Sequence, residues 1–192
     1  IYNEGISHLI HAAKRNSDIT VLVHNNRTFA LTTGQFTATS PKGFKGKFDP
    51  KGSVEKPINP LKLVLASNGT FVARGYAMKP NHLKDLIIKA VKHPGFSFID
   101  ILQPCISFFD TISFYNQRVY EMEEKDLGSP KEALKKIEEW DYDEDNDSKK
   151  IPIGIFYKTQ KPSYWQETLE TLNPSKEKKQ VNFQNYFEEV FA

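Results

Sequence analysis

A chain of 192 residues with 39% hydrophobic residues, 14 Phe and 8 Tyr has enough apolar material for one packed domain and excludes wholesale disorder. Lys and Arg number 26 against 24 Asp and Glu, a formal net charge of +2 too balanced to mark nucleic acid or a membrane surface as a partner. There is no apolar run of membrane-spanning length and no secretory signal, and the lone cysteine, Cys105, cannot form an internal disulfide, which points to a reducing, cytoplasmic setting.

Ile6, Leu9, Ile10 and Ala13 recur at helical spacing and predict a helix from about Asn3 to Arg15. Arg15-Asn16-Ser17-Asp18 breaks it. The β-branched run from Ile19 to His24 then predicts a strand covered on both faces, as in a parallel sheet. Leu31 to Pro60 is rich in Gly, Pro, Lys and Thr and reads as a long functional or mobile loop. Residues 60–68 suit a short helix and 69–76 a short strand. The stretch opened by Pro80 is a helix with Leu83, Leu86, Ile87 and Ala90 on one face and Pro94-Gly95 as its stop. Residues 96–102 form a second buried strand. This alternation predicts an α/β domain with a parallel sheet flanked by helices.

The last third differs. Ser129-Pro130-Lys131-Glu132 is a capping box with proline at the first helical position, opening a helix to about Trp140. The acidic stretch 141–147 lacks calcium-loop spacing and reads as a solvated turn. Residues 151–158 suit a strand. The tail from Thr159 carries two aromatic clusters, at 163–166 and 182–192, and is expected to dock on this domain or on a partner chain. The expected division is an α/β domain over 1–118 and a C-terminal extension over 119–192.

The candidate site lies where the first strand stops at two asparagines and gives way to "RTFALTTGQ". In a parallel sheet, ligands bind at the carboxyl ends of strands. A carboxamide oxygen and outward-turned backbone carbonyls suit Mg²⁺, which takes oxygen ligands and shares them with phosphates. Asn25 and Asn26 are equally good turn formers, and the spacing alone leaves both readings open.

The stretch from Gly5 to Pro41, with His11-Ala12-Ala13-Lys14-Arg15-Asn16, Asn25-Asn26 and Thr32-Thr33-Gly34-Gln35 in order, resembles the thiamine-diphosphate segment of the β subunit of 2-oxoacid:ferredoxin oxidoreductases. Residues 69–105 resemble the later βαβ portion of that family, which ends in Ser-Pro-Cys. The resemblance implies a thiamine-diphosphate-binding fold with a C-terminal extension. It also implies oxidative decarboxylation of 2-oxoacids to acyl-CoA, with electrons passing through a [4Fe–4S] cluster to ferredoxin. Expected partners are an α subunit, which would carry the acid–base glutamate, ferredoxin, CoA and the 2-oxoacid. A non-oxidative thiamine-diphosphate decarboxylase or carboligase is the alternative. A non-catalytic interaction subunit that docks a partner through the aromatic tail is a third.

Carried over position by position, the resemblance makes the Asn26 side chain and the Thr28 carbonyl Mg²⁺ ligands. Ala30 and Leu31 would approach the diphosphate or thiazolium, and Leu31, unless it is a core leucine, would shape the oxoacid pocket. Cys105 matches the fourth ligand of the cluster, where the residues alone suggest a small buried hydrophobe. Asp110 is expected either at the cofactor or simply on the surface, and His8 and His11 either toward the diphosphate or in helix packing. Two departures stand out. Ser7 replaces an asparagine, and Thr33 replaces a glycine, which predicts an altered loop because threonine resists positive φ. The family's Gly-Asp-Gly, with its Mg²⁺-binding aspartate, and its three other cluster cysteines would precede Ile1.

Overall fold

The computed structural model describes residues 1–142 and 150–172. Residues 143–147 of the acidic stretch and the 182–192 aromatic cluster lie outside the described residues. Helix α1 (Ile6–Lys14) buries Leu9 and Ala13, and Asn16, in left-handed conformation at φ 45°, ends the turn that follows. Strand β1 (Thr20–Asn25) leads into a small hairpin of β2 (Thr28–Phe29) and β3 (Gln35–Phe36). Helix α2 (Pro60–Ala66) starts where Asn59 accepts from the amides of Leu61 and Lys62, with proline at the first position.

Strand β4 (Phe71–Tyr76), helix α3 (Pro80–Val91) and strand β5 (Ser97–Leu102) form the expected βαβ unit, both strands buried throughout. After it come α4 (Ile112–Arg118), β6 (Val119–Glu121), α5 (Pro130–Ile137), β7 (Ile151–Lys158) and α6 (Tyr164–Leu172). The Ser129 hydroxyl accepts from the Glu132 amide, as the capping box predicts.

The five-stranded sheet runs β1-β5-β4-β7-β6. β1, β5 and β4 are parallel, as are β7 and β6, but β7 is antiparallel to β4. The sheet is therefore mostly parallel rather than wholly so. An apolar run such as Ile151–Tyr157 signals burial but carries no direction. Nor is β1 covered on both faces. It is the sheet's edge among the described residues, with Ile19, Leu22 and His24 exposed, because α3 rests on β4 and β5. Strands β6 and β7 continue the same sheet.

Two apolar layers cover the sheet. The larger holds Leu9, Leu61, Val64, Phe98, Tyr115, Ile137 and Trp140; the smaller holds Phe71, Leu86, Ala90, Ile99 and Ile101 beneath α3. Among the described residues no helix is long and apolar enough to cross a membrane.

Candidate functional site

Parallel register brings Asn25, Leu102 and Tyr76, the last residues of β1, β5 and β4, side by side at one end of the sheet. The loops that leave this end carry the sequence-predicted site. Asn25 is buried and its Oδ1 accepts from the Arg27 amide and the Thr39 hydroxyl, while its carbonyl accepts from the Gln103 amide. Asn26 is half-buried, and its Oδ1 accepts from the Thr28 amide at 3.2 Å. Both asparagines thus make the side-chain turns that their chemistry favours.

Arg27 makes the turn rigid. It sits at φ 56° with its side chain buried. Nε donates to the Thr39 carbonyl at 2.8 Å and Nη2 to the Tyr142 carbonyl at 2.5 Å. The guanidinium lies 5.5 Å from the Phe109 ring centre and 5.4 Å from that of Trp140. One side chain therefore fastens the strand-end turn, the loop after Cys105 and the segment before residue 143. Sequence reading missed it, because a lone arginine among polar loop residues looks solvated.

Thr28 is buried, and its hydroxyl donates to the Gln35 carbonyl at 3.0 Å across the hairpin. The Ala30 carbonyl accepts from the Thr33 amide. Thr33 takes φ 77°, followed by Gly34 at 94°. Threonine here adopts the left-handed conformation that glycine favours, at a strain cost of about 1–3 kcal/mol. Leu31 is 98% exposed, which removes the core reading. Phe29 beside it is 39% exposed.

Cys105 is half-buried at the base of a tight loop closed by reciprocal backbone bonds with Phe109. That loop touches the hairpin, since a Cβ on Gly34 would fall 2.7 Å from the Phe108 ring. Asp110 is exposed and accepts from the Ile112 amide at the start of α4. No hydrogen bond among the described residues links Asp110 to residues 25–31. His8 and His11 are both exposed on α1.

Behind the turn lies a buried polar cluster. Asp100 accepts from the Tyr2 hydroxyl at 2.5 Å and from the Tyr142 hydroxyl. Arg74, its register partner on β4, donates Nε to the Tyr142 hydroxyl and Nη1 to the Pro152 carbonyl. The Arg74 guanidinium also lies about 5 Å from the rings of Trp140, Tyr142 and Phe156. Burial pushes the Asp100 carboxyl above the usual carboxylate range, while the two tyrosine hydrogen bonds and Arg74 pull the other way. Burial likewise holds the Tyr2 and Tyr142 hydroxyls well above the ordinary phenol range. The sequence signal was available: a charged residue in the middle of each buried strand.

The donor set at the turn can be tested against a Mg²⁺–diphosphate group. Asn26 Oδ1 carries one hydrogen bond and keeps a second lone pair, on a residue that is only half-buried at the strand end. A neutral oxygen of this kind suits Mg²⁺ that takes its remaining ligands from phosphates. Among the described residues no group of three His, Cys, Asp or Glu side chains is placed to hold a metal. The turn therefore fits as part of a Mg²⁺ site and not as a whole one. For an iron–sulfur cluster the chain offers one thiolate of the four normally needed.

Comparison with known proteins agrees with this geometry. Residues 1–101 match the family model described as thiamine pyrophosphate enzyme, C-terminal TPP binding domain. Residues 105–173 match the model for the C-terminal part of the pyruvate ferredoxin oxidoreductase beta subunit. The 2-oxoacid:ferredoxin oxidoreductase subunit beta of Saccharolobus solfataricus is 42% identical over 183 residues, covering 89% of this chain and 58% of the relative. A 2-oxoglutarate synthase subunit KorB of Archaeoglobus fulgidus is 40% identical over 101 residues, 53% of this chain and 38% of the relative. The chain thus spans under two thirds of the length of these curated relatives. A solved 2-oxoglutarate:ferredoxin oxidoreductase from Magnetococcus marinus, with 2-oxoglutarate, coenzyme A and succinyl-CoA bound, superposes with a TM-score of 0.87. It is 27% identical, and the match covers 98% of this chain and 64% of that one. The chain belongs to the thiamine pyrophosphate enzyme family, and within it is similar to part of the β subunits of 2-oxoacid:ferredoxin oxidoreductases.

Proposed function

We propose that the chain is part of an enzyme that converts a 2-oxoacid, CoA and two oxidised ferredoxins into acyl-CoA, CO₂, two reduced ferredoxins and a proton. The observation that carries this reading is the strand-end turn, where Asn26 presents a free lone pair on a backbone held by the buried Arg27. When bound, thiamine diphosphate supplies the electron sink that lets a 2-oxoacid lose CO₂. The chain's own residues supply position. The Asn26 carboxamide and the Thr28 carbonyl would hold Mg²⁺, which would neutralise charge on the diphosphate. The backbone at Ala30 lies against the cofactor, and Leu31, uncovered here, gives it an apolar wall and shapes the oxoacid pocket. Asp110, exposed ahead of α4, is the remaining residue of this chain that would reach the cofactor.

Cys105 would be one ligand of a [4Fe–4S] cluster, the other three thiolates coming from outside these 192 residues. An α subunit is the partner that completes the site. In this reading residues 1–118 carry the ligand-binding loops and residues 119–192 are a C-terminal extension, of which Trp140 and Tyr142 pack on Arg27. A free thiol goes with a reducing, cytoplasmic setting.

The test is anaerobic. The purified complex containing this chain is expected to show an iron–sulfur absorption band that bleaches on adding a 2-oxoacid with CoA, and Cys105→Ser is expected to diminish the band. Colourless protein that releases CO₂ without any electron acceptor would contradict the oxidative reading.

A further inference from the structure

Residues 42–56 hold five lysines, Lys42, Lys45, Lys47, Lys51 and Lys56, against two acids, Asp49 and Glu55, an excess larger than the +2 of the whole chain. All five lysines are exposed. None takes part in an ion pair among the described residues. The excess is opposite in sign to that of the acidic stretch at 141–147 and makes residues 42–56 a basic surface.

The loop is also built, not merely long. The Gly43 amide donates to the Ser53 carbonyl at 2.7 Å, and the Ser53 amide returns to the Phe44 carbonyl at 2.9 Å. Phe44 is buried edge-on against Phe109, ring centres 5.1 Å apart at 88°. A Cβ on Gly46 would fall 2.6 Å from the Gly34 carbonyl oxygen, so the loop presses on the hairpin as well. Its folded base therefore rests on the Cys105 loop and on the turn that follows Thr28. Among the lysines, Phe48 is 57% and Val54 85% exposed.

We propose that this lysine loop is the docking surface for an acidic electron-carrier protein of the ferredoxin kind. The inference rests on the function proposed above, because it needs an electron to leave the protein near Cys105. Lysines spread along a loop steer an oppositely charged protein and set its encounter rate. A small phosphate ligand would instead want donors converging on one point. The exposed Phe48 and Val54 supply the apolar contact that a protein partner, unlike a small anion, can cover.

The test uses the holoenzyme with Lys45→Glu and Lys47→Glu combined, both exposed positions outside the cofactor turn. The KM for an acidic ferredoxin is expected to rise about tenfold at low ionic strength, with the difference fading as salt is added. The rate with methyl viologen as acceptor and the KM for CoA are expected to stay as in the parent enzyme. An unchanged ferredoxin KM, or a rise in the CoA KM instead, would overturn the proposal. Should the parent enzyme reduce neither acceptor, it is the proposed function that fails. Ferredoxin binding to parent and variant, read by calorimetry, then decides the loop by itself: weaker binding to the variant supports it, and equal binding overturns it.

Discussion

Asp100→Ala is expected to destabilise the folded chain by about 3–5 kcal/mol, because it removes the anion that three buried groups share. Tyr2 and Tyr142 both donate to this carboxylate, and Arg74 sits in the same dry layer among the rings of Trp140, Tyr142 and Phe156. With the anion gone, two phenol hydroxyls lose their acceptor and a guanidinium is left without its compensating charge. The cost of an orphaned buried polar group, about 1–3 kcal/mol each, makes the total large. Asp100→Asn retains an acceptor oxygen and is expected to cost less. Urea unfolding of the three proteins measures the order. Equal midpoints for parent and alanine variant would mean that the cluster is not a structural anchor.

Arg27→Ala is expected to act on stability and on cofactor affinity together. It leaves the carbonyls of Thr39 and Tyr142 unpaired in a buried place and empties the space between Phe109 and Trp140. A loss of about 3 kcal/mol follows from two stranded acceptors and a cavity. The turn it fastens also carries Asn26 and Thr28, so Mg²⁺–thiamine diphosphate binding is expected to weaken about 10- to 100-fold, the range seen when the support of a ligand is removed. Arg27→Lys retains a cation but cannot reach two carbonyls with one fork, and is expected to fall between. Full cofactor affinity in a destabilised Arg27→Ala would show that the turn positions itself without help.

Much of this architecture was legible in the residues. The helical spacing of Leu83, Leu86, Ile87 and Ala90 and the buried run around Ile99 led directly to the βαβ core, and Ser129 and Pro130 marked the start of α5. Direction and edge position were not legible. Burial looks the same for parallel and antiparallel strands, so β7 could be expected as a strand but not oriented. The β-branched run of β1 reads as covered although its outer face is open. At the site, Asn25 and Asn26 were visible as a pair with two possible roles, and the structure shows their turn role while leaving Asn26 a lone pair to offer. Arg27 was invisible for the opposite reason. Its role depends on Phe109, Thr39, Trp140 and Tyr142, which local sequence does not bring together. Threonine at position 33 shows that residue preference is a bias: the hairpin's closure imposes φ 77° on a residue that resists it.

The most direct measurement is the calorimetric titration of Mg²⁺–thiamine diphosphate into the complex containing this chain, with parent and Asn26→Ala proteins compared. Removing the carboxamide is expected to weaken binding at least about 10- to 100-fold, the loss already found when only the support of a metal ligand is removed. The melting temperature of the unliganded protein should change little, since Asn26 is half-buried and bonds only its own turn. Identical affinity in the two proteins would contradict the assignment of the strand-end turn as the site that grips the cofactor.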